Sequence, residues 1–153
     1  MRKSLPVYGD GSNERDWLFV EDHAAALVRA IEQGTPAATY AIGARQPCGN
    51  LDVVRAICAH LDRRRRLLDT AGPRARLIRF VTDRPRHDFR YEIDPARTEA
   101  ALDWRAPHDF ETGLARTIDW YLENRSQWEG MRAARRAGQR LGTVPRATAG
   151  AAA

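Results

Sequence analysis

The chain has 153 residues, of which 43% are hydrophobic and 29% are charged, as is typical of one soluble globular domain. Its formal net charge of +5 is carried almost entirely by arginine, which suits bidentate contacts with phosphate as well as it suits nucleic acid. Apolar runs are too short to span a bilayer, no signal-peptide pattern opens the chain, and aromatic residues do not interleave a basic face. We therefore predict a cytoplasmic protein that binds neither membrane nor nucleic acid.

The first part of the chain has the pattern of a strand, a turn and a helix. An extended segment begins at Leu5, and a polar turn over residues 9–13 leads to a second apolar run over 17–20. Asp22 is predicted to cap the helix that follows, and Gly34 is predicted to end it. One face of this helix carries apolar residues, namely Leu27, Val28 and Ile31.

Two strands and a helix are predicted next. The TYAIG segment, residues 39–43, has the composition of a short strand. Asn50 is predicted to cap a helix whose apolar positions repeat at helical spacing. The arginines of residues 63–66 are interpreted as solvated cations at its C-terminal end. The LIRFV segment, residues 77–81, alternates as a strand does.

The last part of the chain is predicted to be helical. Asp94 followed by Pro95 is a typical helix start, and this helix is expected to reach about Trp104. Asp109 is predicted to cap a further helix. We predict two regions, a binding portion over residues 1–128 and a disordered Arg/Ala/Gly-rich tail over residues 129–153. The order of strands and helices predicts an α/β fold.

Two sequence motifs of nicotinamide-dependent enzymes are missing. Gly9 and Gly11 suggest a dinucleotide-binding G-x-G-x-x-G motif, but Glu14 stands where its third glycine belongs, so a turn is the better interpretation. In a Tyr-x-x-x-Lys pair, the lysine lowers the pKa of the tyrosine so that tyrosinate can act as a general base. No tyrosine is followed by lysine at this spacing, and Lys3 is the only lysine.

An anion-binding site is predicted in the TDRPRHD segment. Arg84, His87 and Asp88 lie close together there, and Pro85 stiffens the backbone that carries them. Two charged donors beside a proline suit an anionic ligand, whereas the competing interpretation is an exposed loop with scattered charges. Arg15, taken alone, has the same two interpretations.

Other polar residues give weaker signals. Isolated histidines, such as His23, His60 and His108, are interpreted as surface or capping residues rather than as catalysts. The tryptophans are assigned to a core or an interface. Cys48 and Cys58 have no histidine nearby at ligand spacing, so neither a metal site nor a disulfide is predicted.

Five segments, taken in order, resemble dTDP-glucose 4,6-dehydratases, which are members of the extended short-chain dehydrogenase/reductase family. They are LPVYGDGSNERDWLFVEDH, TYAIG, NLDVV, FVTDRPRHDFRYEID and FETGLARTIDWYL. The resemblance runs from Leu5 to about Trp128. The family pattern usually has Asn, Gly and Gly at three positions where this chain has Ala41, Ala44 and Arg86.

The resemblance implies the C-terminal, substrate-binding part of a Rossmann-type α/β fold, with the NAD-binding portion and the catalytic residues missing upstream. It implies six substrate-binding residues and no catalytic, cofactor-binding or metal-binding residue in this chain. Pro6 and Tyr8 would line the thymine and deoxyribose pocket, and Arg15, Asn50, Arg84 and His87 would hold the diphosphate and nearby groups through charge-assisted hydrogen bonds.

The family reaction converts dTDP-glucose to dTDP-4-keto-6-deoxyglucose. Hydride leaves C4 for NAD, water is eliminated across C5 and C6, and hydride returns at C6. The resemblance therefore implies a dTDP-sugar partner, NAD in the full-length family enzyme with none bound by this chain alone, and a family that forms homodimers. The chain itself is expected to be a fragment that is inactive alone.

Two alternatives remain open from the sequence. One is a non-catalytic remnant or interaction module whose basic tail binds acidic partners. The other is a fragment of a UDP- or GDP-sugar dehydratase or epimerase.

Overall fold

A computed structural model describes residues 3–64, 72–85 and 87–134. Within these residues the chain has both strands and helices, with α1 and α2 lying between strands in the chain order, which confirms the predicted α/β class. The elements are β1 (Leu5–Tyr8), β2 (Glu14–Asp16), α1 (Val20–Gln33), β3 (Pro47–Gly49), α2 (Asn50–Arg64), β4 (Ile78–Val81), β5 (Arg90–Tyr91), α3 (Ala96–Leu102), α4 (Phe110–Glu123) and α5 (Arg125–Ala134). A 3-10 turn over Arg74–Leu77 leads into β4.

The strands form two small sheets. β1 pairs with β4 in parallel, so that Val7 lies opposite Phe80 and Tyr8 opposite Val81. β2 is the central strand of the second sheet, antiparallel to β3 and parallel to β5. Because β2 pairs with β5, Arg15 lies beside Tyr91. The two sheets therefore bring the start of the chain next to residues 78–91.

The main core of the described residues lies between α1 and α3. Ala26 and Leu102 are fully buried there, and Trp104 is 9% exposed. The small Ala26 side chain lets the two helices approach closely, and Tyr40 and Ile42 pack against the same cluster. The apolar residues predicted on one face of α1 are exposed and lie outside this core; Ile31, for example, is 85% exposed.

The TYAIG strand was predicted incorrectly. Residues 39–43 have no strand assignment, because no neighbouring strand in the described part of the chain supplies a hydrogen-bonded ladder. The Asp16 carboxylate instead accepts hydrogen bonds from the backbone N–H groups of Ala44 (2.9 Å) and Gln46 (2.8 Å). The side chains of this segment supply core contacts in place of a strand.

The predicted start of α1 was also wrong. The helix begins at Val20, and Phe19 occupies the capping position without a side-chain hydrogen bond. Asp22 therefore lies inside the first turn, where its buried carboxylate accepts hydrogen bonds from the ring (2.8 Å) and the backbone N–H (3.2 Å) of His108. A carboxylate in the first turn is favoured by the helix dipole, so the residue type fits its position although its partner is distant in sequence.

The other predicted helices are confirmed, with small changes at their ends. Gly34 ends α1, and α2 begins at Asn50 itself. Asp94 accepts a hydrogen bond from Ala96 N–H (3.0 Å) at the start of α3, which ends at Leu102. Asp109 caps α4 by accepting a hydrogen bond from Thr112 N–H (2.8 Å). Hydrogen bonds from the Thr112 hydroxyl and then from its backbone N–H lower the pKa of Asp109.

The chain separates into two compact units, residues 1–119 and residues 120–153. In the second unit the rings of Trp120, Tyr121 and Trp128 stack edge to face, and the Trp128 indole N–H donates to Tyr121 O (2.7 Å). Helix α5 continues to Ala134 and so crosses the boundary predicted at residue 128. The remainder of the predicted tail, residues 135–153, lies outside the described residues. Among the helices described, none is both long and apolar enough to cross a membrane.

Candidate anion-binding site

The candidate site lies where β1, the turn over residues 9–13, β2 and the segment over residues 82–89 meet. Backbone hydrogen bonds join these parts: Gly9 N–H donates to Val81 O (2.9 Å) and Glu14 N–H to Phe89 O (2.8 Å). Asn13 is buried, and its side-chain amide donates to Asp88 O (3.3 Å). The turn and β2 are therefore joined through hydrogen bonds to the segment that carries Arg84 and His87.

The first turn depends on glycine geometry. Gly9 and Gly11 both have positive φ angles, +57° and +77°. Gly11 N–H donates to Tyr8 O (3.1 Å) and closes a tight turn, while Gly11 O accepts from Leu51 N–H (3.0 Å) at the start of α2. The interpretation of these glycines as a turn is confirmed.

Arg15 lies on β2 and reaches across to the 82–89 segment. Its Nη1 donates to Glu14 O (2.5 Å) and Phe89 O (3.2 Å), and its Nη2 donates to Asp88 O (2.9 Å). The guanidinium carbon lies 4.7 Å from the centroid of the Tyr91 ring, within cation–π range. Three hydrogen bonds and one aromatic contact therefore orient the Arg15 guanidinium.

His87 connects the two arginines of the site. Its Nε2 lies 3.2 Å from Arg15 Nη2 and 2.9 Å from Arg84 Nη2. Arg84 also places its guanidinium carbon 5.3 Å from the centroid of the Tyr8 ring. Tyr8, Arg84, His87 and Arg15 form a continuous cluster, which we call the arginine pair site.

Asp83 contacts this cluster through hydrogen bonds to His87 and Arg84. Its Oδ1 accepts from His87 Nδ1 (2.8 Å) and from the backbone N–H of Arg84 (2.7 Å). Partial desolvation acts to raise the pKa of Asp83, but the hydrogen bonds from His87 and from the Arg84 backbone N–H, together with the Arg84 charge, outweigh it and hold the pKa below its ordinary value. The Asp83 carboxylate is therefore charged at neutral pH.

The positive charge of the site is offset in part by the Asp83 carboxylate, which lies near enough to Arg84 to feel its charge. In the described part of the chain, neither Arg15 nor Arg84 forms an ion pair with a carboxylate; their partners are backbone carbonyls, an imidazole and aromatic faces. Two such guanidinium groups side by side attract an anion with several oxygens, such as a diphosphate.

Four of the six predicted binding residues lie in the arginine pair site: Tyr8, Arg15, Arg84 and His87. The other two make different contacts. Asn50 donates its backbone N–H to Asn13 O (2.9 Å) at the start of α2, and Pro6 pairs with Arg79 on the exposed side of β1. Whether all six bind one ligand stays a prediction.

Three residues that build the site were not predicted from the sequence: Asp83, Tyr91 and Asn13. Asp83 had a local signal, because aspartate shortly before proline often hydrogen-bonds its own backbone in a turn. Tyr91 donates its hydroxyl to Asp88, and this bond raises the pKa of Tyr91. Its place beneath Arg15 depends on the pairing of β2 with β5, and short strands of two or three residues leave almost no sequence pattern.

At a second depression, near Arg45, the arginines are paired with a carboxylate. A cavity of about 270 Å³ is lined by Gly43, Arg45, Glu99 and Arg105, among others. Glu99 accepts bidentate hydrogen bonds from Arg45 (3.2 and 3.1 Å) and lies 3.3 Å from Arg105 Nε. This pairing neutralises the arginines and raises the pKa of Arg45, so the cavity is a poor match for an anion.

The chain belongs to the family described as GDP-mannose 4,6 dehydratase, whose family model matches residues 1–117. Its fold and sequence therefore place it among the sugar-nucleotide dehydratases, as the sequence predicted. It is 47% identical over 146 residues to a probable dTDP-glucose 4,6-dehydratase of Sinorhizobium fredii, a match that covers 95% of this chain and 41% of that protein.

Solved structures agree with this placement. The dTDP-glucose 4,6-dehydratase DesIV of Streptomyces venezuelae, solved with NAD and TYD bound, is 33% identical, with a TM-score of 0.72. The match covers 84% of the present chain and 37% of the DesIV chain. The Bacillus anthracis dTDP-glucose 4,6-dehydratase, solved in complex with NAD, is 36% identical, with a TM-score of 0.70. This match covers 84% of the present chain and 38% of the Bacillus chain. The chain thus spans about two fifths of the length of the relatives it matches.

Proposed function

We propose that this chain is the nucleotide-binding part of a dTDP-glucose 4,6-dehydratase, with Pro6, Tyr8, Arg15, Asn50, Arg84 and His87 as its substrate-binding residues. The arginine pair site carries this proposal, because two guanidinium groups that form no ion pair with a carboxylate of the described residues converge on His87, with Arg84 beside the Tyr8 ring. The diphosphate would accept charge-assisted hydrogen bonds from the arginines, and the aromatic and proline surfaces would face the base.

The chemistry of the complete family reaction does not fit the residues of this chain alone. NAD would supply the hydride acceptor in the full-length family enzyme. The sequence has neither the glycine motif that cradles a dinucleotide nor a tyrosine paired with lysine four residues later. The contribution of this chain would be to bind and orient the sugar nucleotide, and binding energy of this kind positions a substrate for reaction. A cytoplasmic location and a homodimer stay predictions.

A GDP-linked sugar is the second candidate substrate, because the matching family model is described as GDP-mannose 4,6 dehydratase. The arginine pair site recognises the diphosphate, which dTDP and GDP share, so the base must be distinguished by experiment. Thermal-shift titration with dTDP, UDP and GDP provides that distinction. Protection by dTDP alone supports the first proposal, protection by GDP alone supports the second, and protection by none would contradict both for this chain.

The Arg84→Ala variant tests the site itself. We expect dTDP affinity to fall about 10- to 100-fold, the range for losing hydrogen bonds to a charged group. The matched control is Arg55→Ala, because Arg55 lies on the exposed side of α2 and pairs with Asp52 at 3.6 Å. Isothermal titration calorimetry measures both variants. Full dTDP affinity in Arg84→Ala would exclude the proposed diphosphate contact.

A further inference from the structure

The geometry points to Asp83 as a positioning residue that fixes His87 in its neutral Nδ1–H form, so that the Nε2 lone pair aligns Arg15 and Arg84 for the diphosphate. This inference rests on the proposed function for its ligand, but its structural part can be tested without one. Neither the family resemblance nor the sequence pattern assigned a role to Asp83.

The hydrogen-bond chemistry fixes the tautomer. Asp83 Oδ1 is a carboxylate oxygen with no proton at neutral pH, so the His87 Nδ1 that lies 2.8 Å away must be the donor. Both guanidinium groups are donors only, so the His87 Nε2 that they approach at 3.2 and 2.9 Å must be an acceptor. A neutral imidazole with its proton on Nδ1 is the form that satisfies all three contacts.

The site is enclosed enough for this arrangement to matter. The side chain of His87 is 9% exposed and that of Asp83 is 36% exposed, so water competes weakly for the imidazole. The same Asp83 oxygen also accepts the Arg84 backbone N–H at 2.7 Å, and His87 N–H donates to Arg84 O at 3.3 Å. One carboxylate therefore orients both the histidine and the backbone that carries Arg84.

Gly9 gives Asp83 its place. A Cβ at Gly9 would lie 3.1 Å from Asp83 Oδ2, and the positive φ of +57° is itself unfavourable for a side chain. The carboxylate packs against this bare glycine, at the turn that follows Tyr8. The turn, Asp83 and the two arginines form one connected unit in which each member limits the positions of the next.

Loss of Asp83 should change the imidazole first and ligand binding second. Without the carboxylate, the Nδ1 proton loses its acceptor and the Nε2–H form becomes competitive. That form points a donor at two guanidinium donors, so Arg84, the more exposed of the pair, would move away. Two arginines that are no longer aligned bind a diphosphate less tightly, because part of the binding energy is spent on ordering them.

The test measures the tautomer and the affinity on the same 153-residue chain. Imidazole ¹⁵N chemical shifts at pH 7.5 report which nitrogen of His87 carries the proton. We expect the Nδ1–H form in the wild type and a shift toward the Nε2–H form in Asp83→Ala. Calorimetry with dTDP should show about a tenfold loss of affinity in Asp83→Ala, comparable to the lower end of the loss when an orienting partner is removed from a metal-binding histidine.

Two further variants separate positioning from charge and from folding. Asp83→Asn keeps the shape and an acceptor oxygen, so it should retain much of the Nδ1–H form and lose less affinity than Asp83→Ala. Asp103→Asn removes the same charge at the end of α3, outside the arginine pair site, and should leave both measurements unchanged. A tautomer shift that also appears in Asp103→Asn would overturn the inference.

The outcomes distinguish this inference from the proposed function. An Nε2–H or doubly protonated His87 in the wild type at pH 7.5 would overturn the inference whatever the ligand. An unchanged tautomer in Asp83→Ala would do the same. If the tautomer behaves as expected but the wild type does not bind dTDP, the positioning of His87 stands and the proposed function fails.

Discussion

Gly11 lies where β1, the first turn and the start of α2 meet. A Cβ on this residue would lie 2.8 Å from both Val7 Cγ1 and Leu51 Cβ, and its φ of +77° is a conformation that side chains rarely adopt. Val7 is buried, so the space cannot be gained by moving a flexible chain end. The turn that places Tyr8 and Arg15 on either side of the site thus depends on glycine at position 11.

Gly11→Ala should lower the free energy of unfolding by about 2–4 kcal/mol, because left-handed strain and overpacking both contribute. Denaturant unfolding followed by circular dichroism measures this. The matched control is Gly130→Ala in α5, where an added Cβ meets nothing within 4 Å and alanine is the better helix former. Equal stability losses in the two variants would contradict this account of Gly11.

Ala44, where the resemblance leads one to expect glycine, makes its polar contact through the backbone. Asp16 Oδ2 accepts from the backbone N–H of Ala44, so the contact does not require a particular side chain there. The neighbouring Arg45 takes a positive φ of +57° and pairs with Glu99. Arg86, another departure, lies outside the described residues.

At the scale of elements, α2 and α4 are joined by a polar contact. Asp119 on α4 accepts from Arg64 Nε (2.9 Å) and lies 3.1 Å from His60 Nε2, both on α2. The hydrogen bond from Arg64, followed by that from His60, lowers the pKa of Asp119 below its ordinary value. His60 was interpreted as a surface or capping residue, and its role here is to bridge two helices.

This contact predicts a pH-dependent stability. A carboxylate whose folded-state pKa is below its unfolded value, about 3.9, stabilises the fold above that pH and loses the effect as the pH falls through the folded-state pKa. Asp119→Asn should therefore be less stable than the wild type at pH 7, and the difference should shrink below about pH 4. Urea midpoints measured from pH 7 down to pH 3 follow this difference.

Asp52→Asn is the control for this series, because Asp52 lies exposed on α2 and its nearest cation, Arg55, is 3.6 Å away. Its stability difference from the wild type should be small at every pH. A gap for Asp119→Asn that stays constant between pH 7 and pH 3 would argue against the charged pairing.

At the scale of the whole molecule, the chain carries the proposed substrate-binding residues but not the sequence motifs expected of the NAD-binding and catalytic portion. It spans 41% of the Sinorhizobium relative, and it lacks the glycine motif and the Tyr-x-x-x-Lys pair. The arginine pair site lies wholly on described residues of the first unit.

We expect no dTDP-4-keto-6-deoxyglucose when this chain is incubated with NAD and dTDP-glucose. The physical reason is that no tyrosine in the sequence has a lysine four residues later to lower its pKa, and no third glycine completes the dinucleotide motif. Mass spectrometry of the nucleotide sugar measures the product, with the Bacillus anthracis dehydratase as the positive control. Product that increases with the concentration of this chain would show this expectation to be wrong.

Much of the helical structure was predictable because its signals are local. Asp109 caps α4, Asp94 precedes α3 and Gly34 ends α1, each within a few residues of the helix concerned. Strands β2, β3 and β5 were not predicted, because runs of two or three residues have no measurable alternation. For the TYAIG segment a strand was predicted and none is present. Its composition suits a strand, but the described residues offer it no partner strand.

The sequence by itself determined the family and the α/β class, because ordered segments are written in the chain, and it predicted Tyr8, Arg15, Arg84 and His87 as binding residues. Only the tertiary structure decided that these residues meet, and that Asp83, Asn13 and Tyr91 belong with them. The physical reason is that Arg15 and His87 are 72 positions apart and are brought together by the pairing of β2 with β5. A contact at that separation depends on backbone hydrogen bonds between strands too short to leave a sequence pattern.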